Sequence, residues 1–458
     1  MNFYIKYISK LKYFIVFVLL CAFFSVNAQS AFNLNQKKSS KIRFQLINNL
    51  IILPVEINGI ELSFVLDTGV NKPILFNLTN VDSLEIRNSE KIYLRGLGAD
   101  GLIEALKSKN NFFKVGDAIN INQDIYVVFN QDINFSPRLG VAVHGIIGYD
   151  VFKDFIVELN YSNKFIRLHQ PRDFKFKTSK KWETIPIEIY QNKPFINAQV
   201  KQNNKTTNVK LLMDTGGSDA IWLFEHTNKD LSPAKDKQFK DFLGIGLSGS
   251  VYGVRSKLEN FTLSEFRLQE LNVAYPDSTD LSLALNHKER NGSIGGNILK
   301  RFNYFIDYKN GKIQIKKNSF FKEPFYYNNS GITLEQNGMR VVKKKQKKIA
   351  TDAYNQNLSS TNSNTIELVT NYAFELYPAY EIVELRETSN AYFAGLKIGD
   401  VITSINGKDA ESMTLQDINS MFYNREGEVI KMRIERDGID LYFKFSLDNV
   451  FNQKKPSN

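Results

Sequence analysis

Short runs of alternating hydrophobic and polar residues extend along most of the chain, and Gly, Asn and Asp residues separate them. Alternation of this kind is typical of β-strands that bury one face. Residues 155–168 and 302–315 each contain an alternating run, a polar turn and a second alternating run. Asn310-Gly311, in the second of these segments, is a typical hairpin turn. The pattern therefore predicts a mostly β protein that contains these hairpins.

The tripeptide Asp-Thr-Gly occurs twice, at residues 67–69 and 214–216, each time directly after an apolar run. The two copies are 147 residues apart, and the same offset relates Gly145-Ile-Ile-Gly148 to Gly292-Ser-Ile-Gly295. It also relates the two predicted hairpins to each other. Because solenoid repeats are much shorter, a period of this length predicts two duplicated lobes.

Each tripeptide places a carboxylate at the end of a buried strand, which is unfavourable unless the carboxylate is hydrogen-bonded or paired. The repeat therefore indicates that Asp67 and Asp214 face each other. Two carboxylates held close together share a proton, because both cannot ionise easily. The ionised member can take a proton from a water molecule, and the protonated member can hydrogen-bond a peptide carbonyl.

Residues 41–317, about 60% of the chain, resemble the bilobal, pepsin-like or duplicated retropepsin-like aspartic peptidases of bacterial exported proteins. The paired D-T-G motifs and the later hydrophobic-hydrophobic-Gly segments carry the resemblance. It implies two β-lobes related by a pseudo-twofold axis, at residues 41–172 and 182–317. It implies polypeptide substrates and an aspartic endopeptidase activity that needs no cofactor.

The resemblance also implies a role for each residue of the two motifs. Asp67 and Asp214 would be catalytic, and the hydroxyl groups of Thr68 and Thr215 would tie one Asp loop to the other. Glycine lets the backbone approach the carboxylates closely. The supporting positions are Thr68, Gly69, Thr215 and Gly216, and the positions that mark a candidate flap over the cleft are Gly96, Gly98 and Gly101. A plain hairpin tip is the other interpretation of the glycine-rich segment.

The chain departs from the resembled family directly after each motif. Family members commonly have Ser, Thr or Ala there, and a hydroxyl group at that position hydrogen-bonds the carboxylate. Here the residues are Val70 and Gly217. We therefore expect a less acidic dyad and an activity optimum at mildly acidic to neutral pH. Val70 also leaves open an alternative function, a catalytically silent peptide-binding or scaffold protein on the same fold.

A second motif follows the predicted lobes. Residues 394–407 closely resemble the A-G-L-x-x-G-D-x-I-x-x-I-N-G run of bacterial PDZ domains, which implies an α+β domain at about residues 325–450. PDZ domains bind peptides by adding them as a strand to a sheet edge. We expect peptide contacts at Leu376, Tyr380 and Ile382, with docking onto the lobes as the alternative role. A polar and basic stretch predicts a flexible insertion at about residues 343–365.

The first 28 residues have the pattern of a secretory signal peptide, with three lysines, an apolar run at 13–24 and a small-residue cleavage site after Ala28. We therefore expect an exported protein, periplasmic or secreted, with an uncleaved membrane anchor as the alternative. Cleavage would remove Cys21 and leave a mature form with no cysteine. Cleavage lowers the formal charge from +11 to +8.

Charge and residue spacing exclude several other function classes. Six positive charges lie between residues 340 and 348, where we expect a solvated loop and no membrane contact, although an acidic surface or membrane is the alternative partner. No basic helix or aromatic stacking motif indicates a nucleic-acid partner. The four histidines have no metal-ligand spacing, so we expect no metal site.

Overall fold

The computed structural model describes residues 30–78, 81, 83–96, 102–129, 133–246, 248–277, 287, 289–349, 368–423 and 425–452. The predicted signal peptide, residues 1–28, lies outside the described residues. Strands make up 54% of the structure and helices 9%, which confirms the mostly β fold. Within the described part of the chain, no helix is long and apolar enough to cross a membrane.

Short strands build the first lobe, and glycines or asparagines form most of the turns between them. In chain order the strands are β1 (Ser39–Arg43), β2 (Gln45–Ile47), β3 (Leu50–Ile57), β4 (Ile60–Leu66), β5 (Ile74–Leu75), β6 (Ser89–Leu94), β7 (Ile103–Val115), β8 (Ala118–Val128), β9 (Gly145–Ile147), β10 (Ile156–Asn160) and β11 (Phe165–His169). The helices of this lobe are α1 (Ser136–Leu139) and α2 (Tyr149–Phe152), and a 3₁₀ helix covers Pro171–Asp173.

The second lobe repeats this series of elements. Its strands are β12 (Glu183–Pro186), β13 (Glu188–Tyr190), β14 (Lys193–Gln202), β15 (Lys205–Met213), β16 (Ile221–Leu223), β17 (Gln238–Gly246), β18 (Gly249–Leu263), β19 (Phe266–Pro276), β20 (Arg290–Ile294), β21 (Phe302–Asp307) and β22 (Lys312–Lys317). A 3₁₀ helix covers Glu225–Thr227, and helix α3 (Gly296–Leu299) follows β20.

The two lobes have the same sheet topology. The sheet of the first lobe has the order β2-β3-β4-β9-β5-β8-β7-β6, and that of the second has the order β13-β14-β15-β20-β16-β19-β18-β17. A third sheet, β1-β11-β10-β21-β22-β12, joins the lobes where β10 pairs with β21. A hydrophobic core that includes Phe64, Phe152, Phe261 and Tyr304 is continuous through both lobes. The predicted hairpins therefore form the sheet that holds the lobes together.

The C-terminal unit has its own sheet and its own hydrophobic core. Its strands are β23 (Ile332–Ile349), β24 (Leu368–Leu385), β25 (Val401–Ile405), β26 (Lys408–Asp409), β27 (Val429–Arg436) and β28 (Ile439–Ser446). Its helices are α4 (Asn390–Phe393) and α5 (Leu415–Phe422), with 3₁₀ helices at Ala410–Ser412 and Val450–Asn452. Thr414 caps α5 through a capping box with Asp417, and Leu415, Ile418 and Phe422 turn the apolar face of the helix into the core.

The predicted flexible insertion is partly ordered, which corrects one expectation. Residues 343–349 continue β23 and pair with the start of β24. Lysine side chains of β23 lie over aromatic rings of β24. The ammonium nitrogen of Lys343 lies 3.9 Å from the ring centre of Tyr372, and that of Lys344 lies 4.3 Å from the ring centre of Tyr377. These cation–π contacts let a basic run form a strand. Residues 350–367 lie outside the described residues.

Candidate active site

The two Asp-Thr-Gly motifs occupy equivalent positions in the two lobes. Asp67 directly follows β4, and its backbone N–H donates to the carbonyl oxygen of Ile147 in the parallel strand β9 at 2.8 Å. Asp214 directly follows β15, and its N–H donates to the carbonyl oxygen of Ile294 in the parallel strand β20 at 2.9 Å. The hydrophobic-hydrophobic-Gly segments identified in the sequence therefore fix the backbone of the two Asp loops.

Reciprocal hydrogen bonds join the two loops beneath the carboxylates. The N–H of Thr68 donates to Oγ1 of Thr215 at 3.0 Å, and the N–H of Thr215 donates to Oγ1 of Thr68 at 3.1 Å. The hydroxyl of Thr215 in turn donates to the carbonyl oxygen of Leu66 at 2.7 Å, and that of Thr68 donates to the carbonyl oxygen of Met213. Both threonines are buried. We call this arrangement the threonine clasp.

The threonine clasp holds the two carboxyl groups against each other. Asp67 and Asp214 share a hydrogen bond, and each keeps part of its surface open to solvent. The N–H of Gly69 donates to Oδ1 of Asp67 at 2.6 Å, and the N–H of Gly216 donates to Oδ1 of Asp214 at 3.0 Å. The structure therefore brings together all the residues predicted from the two motifs.

The two carboxyl groups differ in their surroundings. Burial, followed by the charge of Asp214, raises the pKa of Asp67 from 3.8 to about 7. Burial also raises the pKa of Asp214, but the charge of Arg290 and the backbone N–H groups of Gly216 and Gly217 oppose the rise. Asp67 receives a single such backbone hydrogen bond, from Gly69. The surroundings of Asp214 therefore contain more groups that favour its ionised form.

Sequence reasoning missed the basic groups around the dyad. Arg290 is buried, donates to the carbonyl oxygen of Gly292 at 3.1 Å, and interacts electrostatically with Asp214. Lys193, at the start of β14, interacts with both aspartates, and burial lowers its pKa. Arg290 lies two residues before the segment Gly292–Gly295, and this position in the repeat is a sequence signal that places it near the second Asp loop. Lys193 carries no sequence motif that connects it to the site.

Comparison with protein families identifies two parts of the chain. A family model described as an aspartyl protease matches residues 53–151, and one described as a PDZ domain matches residues 381–436. The chain contains an aspartyl protease domain and a PDZ domain. The protease match covers the Asp67 loop, and the common strand order relates the second lobe to it. No match to the chain was found among curated proteins.

The lobes of the protease domain also meet outside the dyad. The N–H of Gly96, just after β6, donates to Oγ of Ser248 at 2.9 Å. Ser248 lies at the tip of the hairpin formed by β17 and β18 in the second lobe, which we call the C-lobe hairpin. Gly98 and Gly101, the other residues of the predicted flap, lie outside the described residues. The candidate flap segment thus begins where the two lobes contact each other.

A network of ion pairs connects the C-lobe hairpin to the second Asp loop. Arg255 of β18 donates to the carboxylate of Asp219 at 3.0 Å and to that of Asp241 in β17 at 2.7 Å. Asp219 lies five residues after Asp214, and its carboxylate also accepts a hydrogen bond from the indole N–H of Trp222 at 2.7 Å. The guanidinium group of Arg255 is nearly buried, so its two carboxylate partners are needed to offset the loss of hydration.

The expected peptide-binding residues of the PDZ domain do not line an open strand edge. Tyr380 lies in β24 between Gln336 of β23 and Ile402 of β25. Tyr380 and Ile382 are buried in the core, and the hydroxyl of Tyr380 donates to the carbonyl oxygen of Met413. Leu376 is 65% exposed but lies on the long ribbon formed by β23 and β24. A peptide cannot add to β24 at Tyr380, because strands already occupy both sides.

The described residues contain no group of three or more His, Cys, Asp or Glu side chains that could hold a metal ion.

Proposed function

We propose that the protein is an aspartic endopeptidase, in which a water molecule held between Asp67 and Asp214 attacks a peptide carbonyl. The observation that carries this proposal is the threonine clasp. It connects Thr68 of one lobe to Thr215 of the other by one hydrogen bond in each direction, and both carboxyl groups above it are partly open to solvent. The aspartyl protease match to the first lobe supports the same chemistry.

The unequal surroundings of the carboxyl groups assign their roles. Asp214 is the ionised member and takes the proton from the water. Its carboxylate accepts hydrogen bonds from the N–H groups of Gly216 and Gly217, and the positive charge of Arg290 stabilises it. Asp67 carries the shared proton and donates a hydrogen bond to the oxygen of the scissile carbonyl. The proton taken up by Asp214 then passes to the leaving amine, and the dyad returns to its starting state.

The proposed substrate is an extended polypeptide that lies between the lobes. Peptide hydrolysis by this dyad requires one protonated and one ionised carboxyl group, so the activity should be highest at mildly acidic to neutral pH. The predicted signal peptide supports a further proposal, that the enzyme acts after export, in the periplasm or outside the cell. The PDZ domain is proposed to regulate this site.

Binding of a statine-type peptide inhibitor tests the proposal independently of the natural substrate. Its hydroxyl group takes the place of the attacking water, so calorimetric titration should give one site per chain in the wild type and at least about 10²-fold weaker binding in Asp67→Asn. Equal binding to both proteins would place the inhibitor away from the dyad. No inhibitor binding and no cleavage of an unfolded protein between pH 3 and 8 would instead favour a silent scaffold.

A further inference from the structure

The sheet of the PDZ domain ends at two strands, β23 and β28, and the edge of β23 is the one that lies beside helix α5. Among the described residues, β23 pairs with β24 alone, so its other edge has no partner strand. An extended peptide can add only to a strand edge whose N–H and C=O groups are unpaired. Helix α5 packs beside β23, so the edge and this helix together border the surface. We call the β23 residues Thr333–Gln336 the PDZ edge.

A turn of the first lobe, formed by helix α1 and Gly140, contacts the PDZ edge. Helix α1 packs on β23, and its residue Arg138 forms ion pairs with Glu335 at 2.7 Å and Glu384 at 2.8 Å. On the side of α5, Gln416 donates a hydrogen bond to the carbonyl oxygen of Leu139 at 2.5 Å. Because side chains alternate along a strand, Glu335 points away from the core that Leu334 shares with α5. The turn therefore contacts both faces of the sheet beside the edge.

The contact between the turn and α5 is close enough to depend on glycine. Gly140 ends α1 in the left-handed conformation, with φ of 64°. A β-carbon on Gly140 would lie 2.8 Å from Cβ of Leu415, the first residue of α5. The turn and the PDZ domain thus fit each other without space for an added strand at this position.

Arg138 also contacts the second lobe of the protease domain. Its guanidinium carbon lies 4.3 Å from the ring centre of Phe242, in strand β17 of the C-lobe hairpin. A guanidinium group stacked on an aromatic face and paired with two carboxylates is held by three separate partners. Arg138 therefore connects the first lobe, the C-lobe hairpin and the PDZ edge at one point.

The contact continues from Phe242 to the active site. Arg255 donates a hydrogen bond to the carbonyl oxygen of Phe242 at 3.3 Å and one to the carboxylate of Asp219 at 3.0 Å. Asp219 belongs to the loop that begins at Asp214, and its carbonyl oxygen accepts the N–H of Asn297 at 3.2 Å. Contacts of hydrogen-bond or stacking distance therefore run from the PDZ edge to the second Asp loop.

We infer that Arg138 is a latch by which the docked PDZ domain holds the C-lobe hairpin in place beside the second Asp loop. This inference rests on the proposed peptidase function, and it assigns the PDZ domain a regulatory role. An extended polypeptide with a basic side chain competes with the turn for the PDZ edge, because it supplies a new strand and a cation for Glu335 and Glu384. Its binding releases Arg138 from Phe242 and frees the hairpin, whose tip joins the two lobes through Ser248 and Gly96.

Hydrogen–deuterium exchange of the full chain tests the latch without requiring activity. The variant Arg138→Glu should raise the exchange rate at least about 10-fold in two places, the PDZ edge and the C-lobe hairpin at residues 238–256. The double variant Glu335→Gln/Glu384→Gln removes the two carboxylate partners of Arg138 in the PDZ domain and should raise the exchange rate in the same two places. Arg172→Glu is the matched control, because Arg172 is exposed and, among the residues that the structure describes, forms an ion pair only with its neighbour Asp173.

The charge-swapped protein that combines Arg138→Glu with Glu335→Arg and Glu384→Arg should recover the exchange protection of the PDZ edge. Because glutamate does not stack on Phe242, the hairpin should recover only partly. Faster exchange at the PDZ edge with an unchanged hairpin would overturn the latch and leave Arg138 as a docking contact alone. Unchanged exchange at both places would overturn the contact itself.

Kinetics separate the latch from the proposed function. If the wild type cleaves polypeptides, Arg138→Glu should lower KM for a long unfolded substrate several-fold and leave kcat for a short peptide unchanged. An unchanged KM for the long substrate would contradict the latch. Absence of cleavage in the wild type would contradict the peptidase proposal, and the exchange experiment would still decide whether the hairpin is coupled to the PDZ edge.

Discussion

Gly216 lies directly against the carboxyl group of Asp67 in the opposite lobe. A β-carbon added to Gly216 would lie 2.3 Å from Cγ of Asp67, closer than any real contact allows. The variant Gly216→Ala should therefore displace the Asp67 carboxyl group, and a displacement of about 1 Å lowers kcat/KM about 10²-fold. Peptide cleavage by the purified variant measures this loss.

The neighbouring glycine is a matched control. A β-carbon on Gly217 would lie 3.5 Å from Cγ of Asp214, an ordinary van der Waals distance. Gly217→Ala should therefore retain kcat/KM within a few-fold of the wild type. Equal losses in the two variants would show that any side chain in this loop impairs the site, and that the contact of Gly216 with Asp67 has no particular importance.

The threonine clasp should contribute measurably to stability. Thr215→Val keeps the size of the side chain but removes the hydroxyl, which leaves the N–H of Thr68 and the carbonyl oxygen of Leu66 without this buried partner. Each unpaired buried group costs about 1–3 kcal/mol, so we expect a loss of about 2–4 kcal/mol in the free energy of unfolding. Urea unfolding followed by circular dichroism measures it.

Thr215→Ser retains the hydroxyl and should cost less than the valine variant by at least about 1 kcal/mol. If the serine and valine variants were equally stable, the hydroxyl hydrogen bonds would not hold the lobes together.

The raised pKa of Asp67 predicts how stability depends on pH. In the unfolded chain this carboxyl group loses its proton near pH 3.8, and in the folded protein it keeps the proton up to about pH 7. Between these values the folded state binds more protons than the unfolded state, so the free energy of unfolding falls as the pH rises. Asp67→Asn cannot ionise, so it should gain stability relative to the wild type, by at most about 4 kcal/mol at pH 7.5 and much less at pH 4.

An exposed aspartate gives a control of opposite sign. Hydrogen bonds from Lys37 and Ser40 lower the pKa of Asp117, so its contribution to stability is present above its unfolded pKa and is lost as the pH falls through its folded pKa. Asp117→Asn should therefore lose stability relative to the wild type above about pH 4. A stability difference for Asp67→Asn that does not change between pH 4 and 7.5 would show that burial of the dyad does not perturb this titration.

The sequence allowed the dyad to be predicted because its geometry is local and repeated. An apolar strand, an aspartate and a glycine at a constant offset of 147 residues describe one loop twice, and symmetry then places Asp67 opposite Asp214. The electrostatic interactions of Lys193 and Arg290 with the dyad were not predictable in this way, because they depend on how strands that are distant in sequence pack together. The burial of these two side chains and their charge interactions with the dyad are set by the three-dimensional fold.

The C-terminal unit shows a second limit of prediction from the sequence. Alternation of hydrophobic and polar residues indicates its strands. The spacing of hydrophobic residues at 414–423 indicates an amphipathic helix, and the structure has α5 there. Periodicity cannot show which strand forms the sheet edge, so the expected peptide-binding residues Tyr380 and Ile382 were assigned to a strand with neighbours on both sides. The basic run suggests a solvated loop in the sequence, because the contacts of Lys343 and Lys344 with rings of β24 depend on strand register.

The central claim is that Asp67 and Asp214 together hydrolyse peptide bonds. Initial rates of cleavage of an unfolded protein, measured between pH 4 and 8 for the wild type and for Asp67→Asn and Asp214→Asn, test it most directly. We predict cleavage by the wild type with a maximum at mildly acidic to neutral pH, and rates at least about 10³-fold lower in each variant with unchanged circular dichroism. Cleavage at the wild-type rate by either variant, or no cleavage by the wild type across this range, would contradict the account.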